Sequence, residues 1–213
     1  DAKNLVYNSR MAAKVDSALV QDGFQIYHHS FFFSRNGAWT VVQQGMNTEE
    51  GTARRYHWYS KNVNDLVCEP HSGISSQSVG DHVLNLVAKE SCKTRALSTE
   101  LVQQGYKPLM KEIDLLRKYS SRLSKMAAVQ SGGEQLTLLK LEDTEFTHHP
   151  VVHEDFSKSK YLEKVLARVV EHKPENYEKL VSLEGVGPKT VRALSLVGEV
   201  IYGARPSYED PAR

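Results

Sequence analysis

The hydrophobic and polar positions of the chain follow different periods in different segments. From 4 to 21, apolar residues recur at helical spacing, which predicts an amphipathic helix. The segments Phe24 to Ser34 and Ala38 to Met46 are instead rich in aromatic and β-branched residues, which predicts two strands. Because both faces of the first strand are apolar, we expect it to lie centrally in a sheet rather than at an edge.

Asn36-Gly37 separates the two predicted strands and is a strong hairpin signal. If these two residues form the whole loop, Phe33 faces Thr40 and His29 faces Gln44. His28 then points to the opposite face of the sheet. The segment that follows, 46 to 64, is interpreted as a polar excursion with some extended structure.

The second half of the chain has helical periodicity, interrupted by turn signals. The run His148-His149-Pro150-Val151-Val152-His153 is typical of a linker. The pattern therefore predicts an α+β domain over 1–147, in which a sheet containing the β-hairpin packs with helices, and an all-α domain over 154–205, with a linker at 148–153. The predicted helices after residue 105 are Pro108 to Gln130, Ser157 to His172, Pro174 to Leu183 and Pro188 to Tyr202.

Composition narrows the classes of function. The chain has 213 residues, with 27 basic and 26 acidic side chains, so any contact with a polyanion must come from local patches. Two cysteines are too few for a disulfide scaffold. The sequence has no apolar run long enough to cross a membrane and no signal peptide, so we expect a cytoplasmic protein. It begins with Asp1 rather than Met, which suggests a processed or excised fragment.

The turn between the last two predicted helices is the most specific motif. Gly185-Val186-Gly187-Pro188-Lys189 combines glycines that tolerate unusual backbone angles with a proline suited to the first position of a helix. The N–H groups of a helix start attract anions, and the lysine adds a positive charge. These residues resemble the helix-hairpin-helix motif of DNA repair and recombination proteins. The resemblance implies DNA contacts at Gly185, Val186, Gly187, Lys189, Thr190 and Arg192.

Two further basic segments are candidates for DNA contacts. Arg54-Arg55-Tyr56-His57-Trp58 interleaves cations with aromatic rings, which can stack on bases, and Arg54 and Arg55 are the predicted contacts. A second basic stretch lies on the predicted helix after Pro108, where a solvated charged face is the simpler interpretation.

Polar residues in and around the hairpin suggest a phosphodiester-cleaving site. Such a site needs carboxylates to hold Mg²⁺ or Mn²⁺ and a group that orients water. A structural alternative is a hydrogen-bonded His–Gln pair inside the sheet. The predicted metal ligands are Asp16, Asp22 and Glu69, and the predicted catalytic residues are His29, Gln44 and His71.

Two weaker alternatives remain open. Cys68 and His71 have a spacing that suits zinc, with His82 and Cys92 as later ligands, although the second pair is not spaced as in a zinc finger. The hairpin also resembles that of base-excision DNA glycosylases. That resemblance implies a Schiff-base role for Lys189 and a role for Asp210.

Several segments in order resemble the uncharacterised prokaryotic family called domain of unknown function 763. The resemblance covers nearly the whole chain and implies only that its two parts belong together. The segments are Ala13 to Leu19, Gln21 to Phe24, Tyr27 to His29, Val41 to Asn47, Ala53 to Trp58, Glu69 to Ile74, His148 to Val151 and Gly185 to Leu194.

These observations together predict a DNA-binding protein of repair or recombination that binds the phosphate backbone without strong sequence preference. The first hypothesis adds a metal-dependent nuclease in the α+β part. The second is a non-catalytic module that positions another enzyme, such as a partner repair protein. A glycosylase or lyase is a weaker third, and the strand type of the DNA stays open.

Overall fold

The computed structural model describes residues 2–81, 83–120 and 159–212. Its helices are α1 (Ala2–Ala18), α2 (Cys92–Gln103), α3 (Tyr106–Ser120), α4 (Lys160–His172), α5 (Tyr177–Ser182) and α6 (Pro188–Tyr202). Its strands are β1 (Val20–Gln21), β2 (Gln25–Phe33), β3 (Trp39–Asn47), β4 (Thr52–Tyr59), β5 (Gly73–Ser76) and β6 (Leu84–Asn85). A 3₁₀ turn, Lys89–Ser91, precedes α2. The predicted mixed α+β class is confirmed.

The main sheet has four antiparallel strands in the order β2-β3-β4-β5. Its hairpin contains both predicted strands, but the expected register was wrong by one residue, because Phe33 pairs with Trp39 rather than Thr40. The loop has three residues, since the Ser34 N–H donates to the Ala38 carbonyl at 2.9 Å and Gly37 has φ +83°. A type I turn followed by a left-handed glycine produces this geometry.

The corrected register changes which side chains share a face of the sheet. His29 pairs with Gln43, and His28 pairs with Gln44. The period along a strand is two, so a slip of one residue moves every partner to the other face. Gln44 therefore lies on the opposite face of the sheet from His29, and the expected His29–Gln44 pair does not form.

The expectation that the first strand is central was also wrong. Strand β2 is an edge strand, and Phe32 and Phe33 are 58% and 67% exposed. Strand β4 lies centrally instead, because it pairs with β3 on the side away from β2. Its sequence predicts only part of a polar excursion. An apolar sequence indicates that a strand can be buried, but it does not determine which strands lie beside it. Strand order depends on pairing between segments that are far apart in the sequence.

Buried apolar side chains from both halves of the sequence form one continuous core. Helix α1 contacts the sheet on one side and α5 and α6 on the other. The division into domains at 1–147 and 154–205 stays a prediction, because the linker 148–153 lies outside the described residues, as does the expected end of the helix at Gln130. Helix α6 has the predicted bounds, and α4 and α5 lie within theirs. Among the described residues, no helix is both long and apolar enough to span a membrane.

Candidate functional site

A network of buried polar side chains is centred on Asp16 of α1, which is 1% exposed. The Trp58 Nε1–H donates to Asp16 Oδ2 at 3.0 Å, and the Gln43 amide donates to the same oxygen. His71 Nε2 lies 2.6 Å from Asp16 Oδ1. Buried polar groups are normally hydrogen-bonded, and here three donors surround one carboxylate.

The network continues to the edge of the sheet through Gln43. The Gln43 amide also donates to the Ala12 carbonyl at 3.0 Å, which leaves its oxygen as an acceptor. His29 Nδ1 lies 2.9 Å from that oxygen, and His29 Nε2 lies 2.9 Å from the Ser9 hydroxyl. The structure thus links His29 to Asp16 through Gln43, which was not among the predicted site residues.

His71 is held between aromatic rings as well as by Asp16. Its ring meets Trp58 edge-on at 5.2 Å between centroids and lies 6.0 Å from that of Tyr56. Two residues earlier, Glu69 has φ +45°, an uncommon conformation for a residue other than glycine. Glu69 lies at the surface, where it pairs with Lys89 at 3.1 Å rather than with the Asp16 network.

A second buried network surrounds Arg54, which is 1% exposed. Its guanidinium forms ion pairs of 2.7 Å with Asp22 and with Asp210, and both carboxylate side chains are fully buried. Tyr56 donates its hydroxyl to Asp22 at 2.5 Å, and the Phe24 ring lies 4.4 Å below the guanidinium. Arg54 therefore joins the sheet to the C-terminal tail and is not available at the surface for DNA.

The environment of Asp210 favours its charged form. Burial by itself raises its pKa, but hydrogen bonds from Arg54 and from the N–H groups of Gly80 and Ala212 outweigh that effect, and the pKa is lowered. The Gly80 N–H donates at 2.6 Å and the Ala212 N–H at 2.8 Å. Asp210 thus anchors the tail, and it forms no hydrogen bond with Lys189 within the described part of the chain.

The three carboxylates predicted to hold a metal lie in three different environments. Asp16 is occupied by three donors, Asp22 is paired with Arg54, and Glu69 is paired with Lys89. A Mg²⁺ or Mn²⁺ site needs several oxygen ligands around one point. As placed here, these three residues do not form one metal site, and no group of three His, Cys, Asp or Glu side chains suited to a metal occurs in the described ranges.

The predicted zinc ligands do not form a metal-binding group within the described residues. Cys68 is half-buried and Cys92 is exposed, and both are free thiols. His71 is bound to Asp16, and His82 lies outside the described residues.

The turn between α5 and α6 leads into a helix that begins at Pro188, as its sequence predicted, but only one of its two glycines has a positive φ. Gly185 has φ +85°, and an added Cβ would lie 3.2 Å from a methyl of Val165. Gly187 is the extended N-cap of α6. Among the described residues, no side chain caps the helix there, and an added Cβ would meet no atom within 4 Å. Pro188 occupies the first turn of α6. The backbone at Gly187 is therefore open to a ligand.

A cleft of about 700 Å³ lies between this turn and α1. Arg10 and Lys14 of α1 line it together with Gly185 and Val186, and Glu184 is the acidic residue in its lining. The Lys14 ammonium donates to the Leu183 carbonyl. Burial and the nearby charge of Arg10 lower the pKa of Lys14, whereas Glu184 acts in the opposite direction.

The predicted DNA-binding residues differ in accessibility. Arg55 is exposed while its neighbour Arg54 is buried. In the turn, Val186 and Thr190 are 3% and 2% exposed, so their side chains are not accessible to DNA. Their burial fixes the position of the turn backbone instead. Gly185, Gly187, Lys189 and Arg192 are half-buried.

Sequence reasoning missed three residues that the structure brings into these sites. Gln43 and Trp58 bind Asp16, and Arg10 lines the cleft at the turn. The sequence carried a signal for Gln43 and Trp58. Each lies in a strand at a position that alternates with residues of the other face, so each side chain is expected to point toward the core. Arg10 carried none, because its proximity to the turn depends on a contact between segments far apart in sequence.

Comparison with known proteins gives a family but no functional relative. No curated protein and no solved structure matches the chain. The family described as protein of unknown function (DUF763) matches residues 1–213, so the chain belongs to it.

Proposed function

We propose that this protein binds the phosphate backbone of DNA without strong sequence preference, through a helix-hairpin-helix formed by α5, the turn at 183–187 and α6. The observation that carries the proposal is the open backbone at Gly187. It lies at a helix start that has no side-chain cap and no acidic residue in its first turn.

The first N–H groups of a helix have no partner within it, and the positive end of the helix dipole lies there. Pro188 supplies no N–H, so the donors come from the residues that follow it. Gly187 leaves space for a phosphate oxygen to approach the backbone closely. Such contacts position DNA but read no base, which is the reason for expecting little sequence preference.

Positive side chains surround the turn from two elements. Lys189 follows the helix start, and Arg10 and Lys14 approach from α1 across the cleft. Glu184 opposes them, but it lies 3.8 Å from Arg168, which offsets part of its charge. The local balance is cationic although the whole chain is nearly neutral, so the turn is the better candidate for a phosphate than the general surface.

Cleavage of DNA has less geometric support than binding. A metal-dependent nuclease would need Asp16, Asp22 and Glu69 around one point, and they lie in three separate environments. A lyase would need Lys189 and Asp210 at one pocket, and Asp210 binds Arg54 and Gly80. Of the hypotheses drawn from sequence, a non-catalytic module of repair or recombination is therefore the one we propose.

The experiment is a fluorescence anisotropy titration of a labelled 20-base-pair duplex over a range of salt. Each phosphate contact contributes about −0.9 to the slope of log K against log salt. Lys189→Ala should reduce that slope by about one, because it removes one contact. Lys93→Ala on α2 removes the same charge from an exposed site away from the turn, and should change nothing.

Affinity that hardly varies with salt would contradict the proposal, as would equal effects of the two substitutions. A parallel incubation with Mg²⁺ or Mn²⁺ compares the wild type with Asp16→Ala. Metal-dependent cleavage that is lost in the variant, while circular dichroism shows that the variant is still folded, would show that the nuclease hypothesis is correct and the module is not.

A further inference from the structure

Within the described residues, α1 covers one face of the four-stranded sheet and leaves the other face open. Arg54, Tyr56 and Trp58 of β4 point to the covered face, where they are buried. Because side chains alternate along a strand, the intervening residues of every strand point to the other side. We call this other side the open face. Its residues are Gln25, His28, Ser30, Phe32, Thr40, Val42, Gln44, Met46, Ala53, Arg55, His57, Tyr59, Gly73 and Ser75.

The open face carries apolar side chains that the core does not use. Phe32, Met46 and Tyr59 are 58%, 42% and 40% exposed, and Val42 is half-buried. Within the described residues, none of the four belongs to the core or packs against it. The open face therefore presents two aromatic rings and a methionine to solvent, and apolar groups gathered on one surface are typical of an interaction site.

The charges of the open face have a single sign. Arg55 is exposed, His28 and His57 add imidazoles, and none of the strand positions on this face is Asp or Glu. Along the segment Arg54 to Tyr59, alternate side chains therefore lie on the covered face and on the open face. A surface of this charge and composition is complementary to a polyanion that also carries flat apolar groups.

The register places these groups in three adjacent rows across the strands. Phe32, Thr40 and Tyr59 form the first row, Ser30, Val42, His57 and Gly73 the second, and His28, Gln44, Arg55 and Ser75 the third. Rows on one face are about 7 Å apart, and strands about 5 Å apart. Phe32 and Tyr59 are therefore about 10 Å from each other across the sheet, with Arg55 two rows from both.

We infer that the open face binds single-stranded DNA, with Phe32 and Tyr59 as stacking platforms for bases and Arg55 as a phosphate contact. A single strand exposes the faces of its bases to solvent, and aromatic side chains stack on them irrespective of sequence. A duplex keeps its bases stacked on one another, so it would leave both aromatic rings without a ligand.

This inference rests on the proposed function only in taking DNA as the ligand, because the open face is a different surface from the turn at 183–187. The turn at 183–187 contacts α1, because Lys14 donates to the Leu183 carbonyl, and α1 lies between the sheet and the C-terminal helices. The open face is on the far side of the sheet from α1. Phosphate binding at the turn and base stacking on the open face are therefore separable by substitution.

The test titrates the 213-residue chain against a labelled 20-nucleotide oligothymidine and, separately, against a duplex. Loss of one stacking platform lowers affinity by roughly 5- to 150-fold. The double substitution Phe32→Ala and Tyr59→Ala should therefore weaken oligothymidine binding by at least about 20-fold, while duplex binding changes little. Both side chains are exposed, so the fold should be retained, as circular dichroism would verify.

Phe33→Ala is the matched control. It removes an aromatic ring of the same type from the same strand, equally exposed, but on the face where Phe33 meets Phe31. Oligothymidine binding should be unchanged.

The outcomes distinguish the two proposals. Duplex binding without oligothymidine binding would overturn the inference and leave the proposed function intact. Binding of neither would overturn both. Equal oligothymidine affinity of the wild type and the double variant would show that the aromatic residues serve another purpose, such as contact with a protein. Arg55→Ala should reduce the salt slope for oligothymidine by about one, and an unchanged slope would contradict the assignment of Arg55.

Discussion

Two neighbouring arginines of β4 should respond very differently to substitution. Arg54 is buried with two buried carboxylates at 2.7 Å, whereas Arg55 points into solvent on the open face. Replacement of Arg54 by Met keeps much of the aliphatic volume but removes the charge. Asp22 and Asp210 would then remain buried without their cationic partner, and Phe24 would lose its cation–π contact.

The size of the effect follows from the loss of one partner of a buried ion pair, which costs about 3–5 kcal/mol. In a chain of this size each kcal/mol lowers the melting temperature by about 2–4 °C. Arg54→Met should therefore melt about 6–20 °C below the wild type. Arg55→Met should stay within about 0.5 kcal/mol of it, because the Arg55 side chain is exposed.

Urea unfolding followed by circular dichroism measures both variants, with the slope m as a check that the unfolded state is the same. A loss below about 1 kcal/mol for Arg54→Met would contradict this prediction, since it would mean that the two carboxylates are protonated or solvated without cost. Similar losses for the two arginines would refute it equally, because burial is the difference between them. DNA binding should show the opposite order, with Arg55 the more sensitive position.

Further predictions concern the turn, the tail and the Asp16 network. Gly185→Ala should lower the free energy of unfolding by about 1–2 kcal/mol, because φ at this position is +85°. Gly187→Ala should preserve stability within about 0.5 kcal/mol but weaken duplex binding. The reverse order of stability in urea unfolding would contradict the turn geometry. The pKa of Asp210 is lowered from its ordinary 3.8, so its contribution to stability is present above that pH and is lost as the pH falls through the folded value. Asp210→Asn should therefore flatten the acid limb of the stability curve, and an unchanged limb would exclude this role. Asp16→Ala should cost about 2–4 kcal/mol, since it leaves the Trp58 N–H and other buried donors unsatisfied; a loss under about 0.5 kcal/mol in urea unfolding would show that the network does not stabilise the fold.

Features whose physical cause is local were predictable from the amino-acid sequence. The bounds of α6 were predictable because Pro188 suits the start of a helix and Gly203, at φ +67°, suits its end. The left-handed Gly185 and the mixed α+β class were predictable for the same reason, since periodicity and turn residues act over a few positions. The candidate phosphate site belongs to this group, because all of its backbone lies within one short segment.

Contacts between side chains that are distant in sequence were not predictable, because they depend on how the whole chain folds. Arg54 and Asp210 are 156 positions apart, so no local pattern could distinguish the buried Arg54 from the exposed Arg55. The register of the hairpin depended on a single extra loop residue, which moved the partner of His29 from Gln44 to Gln43. The open face exists because β4 and β5 pair beside β3 while α1 packs on one side only, and such pairings are set by the free energy of the whole core rather than by any one segment.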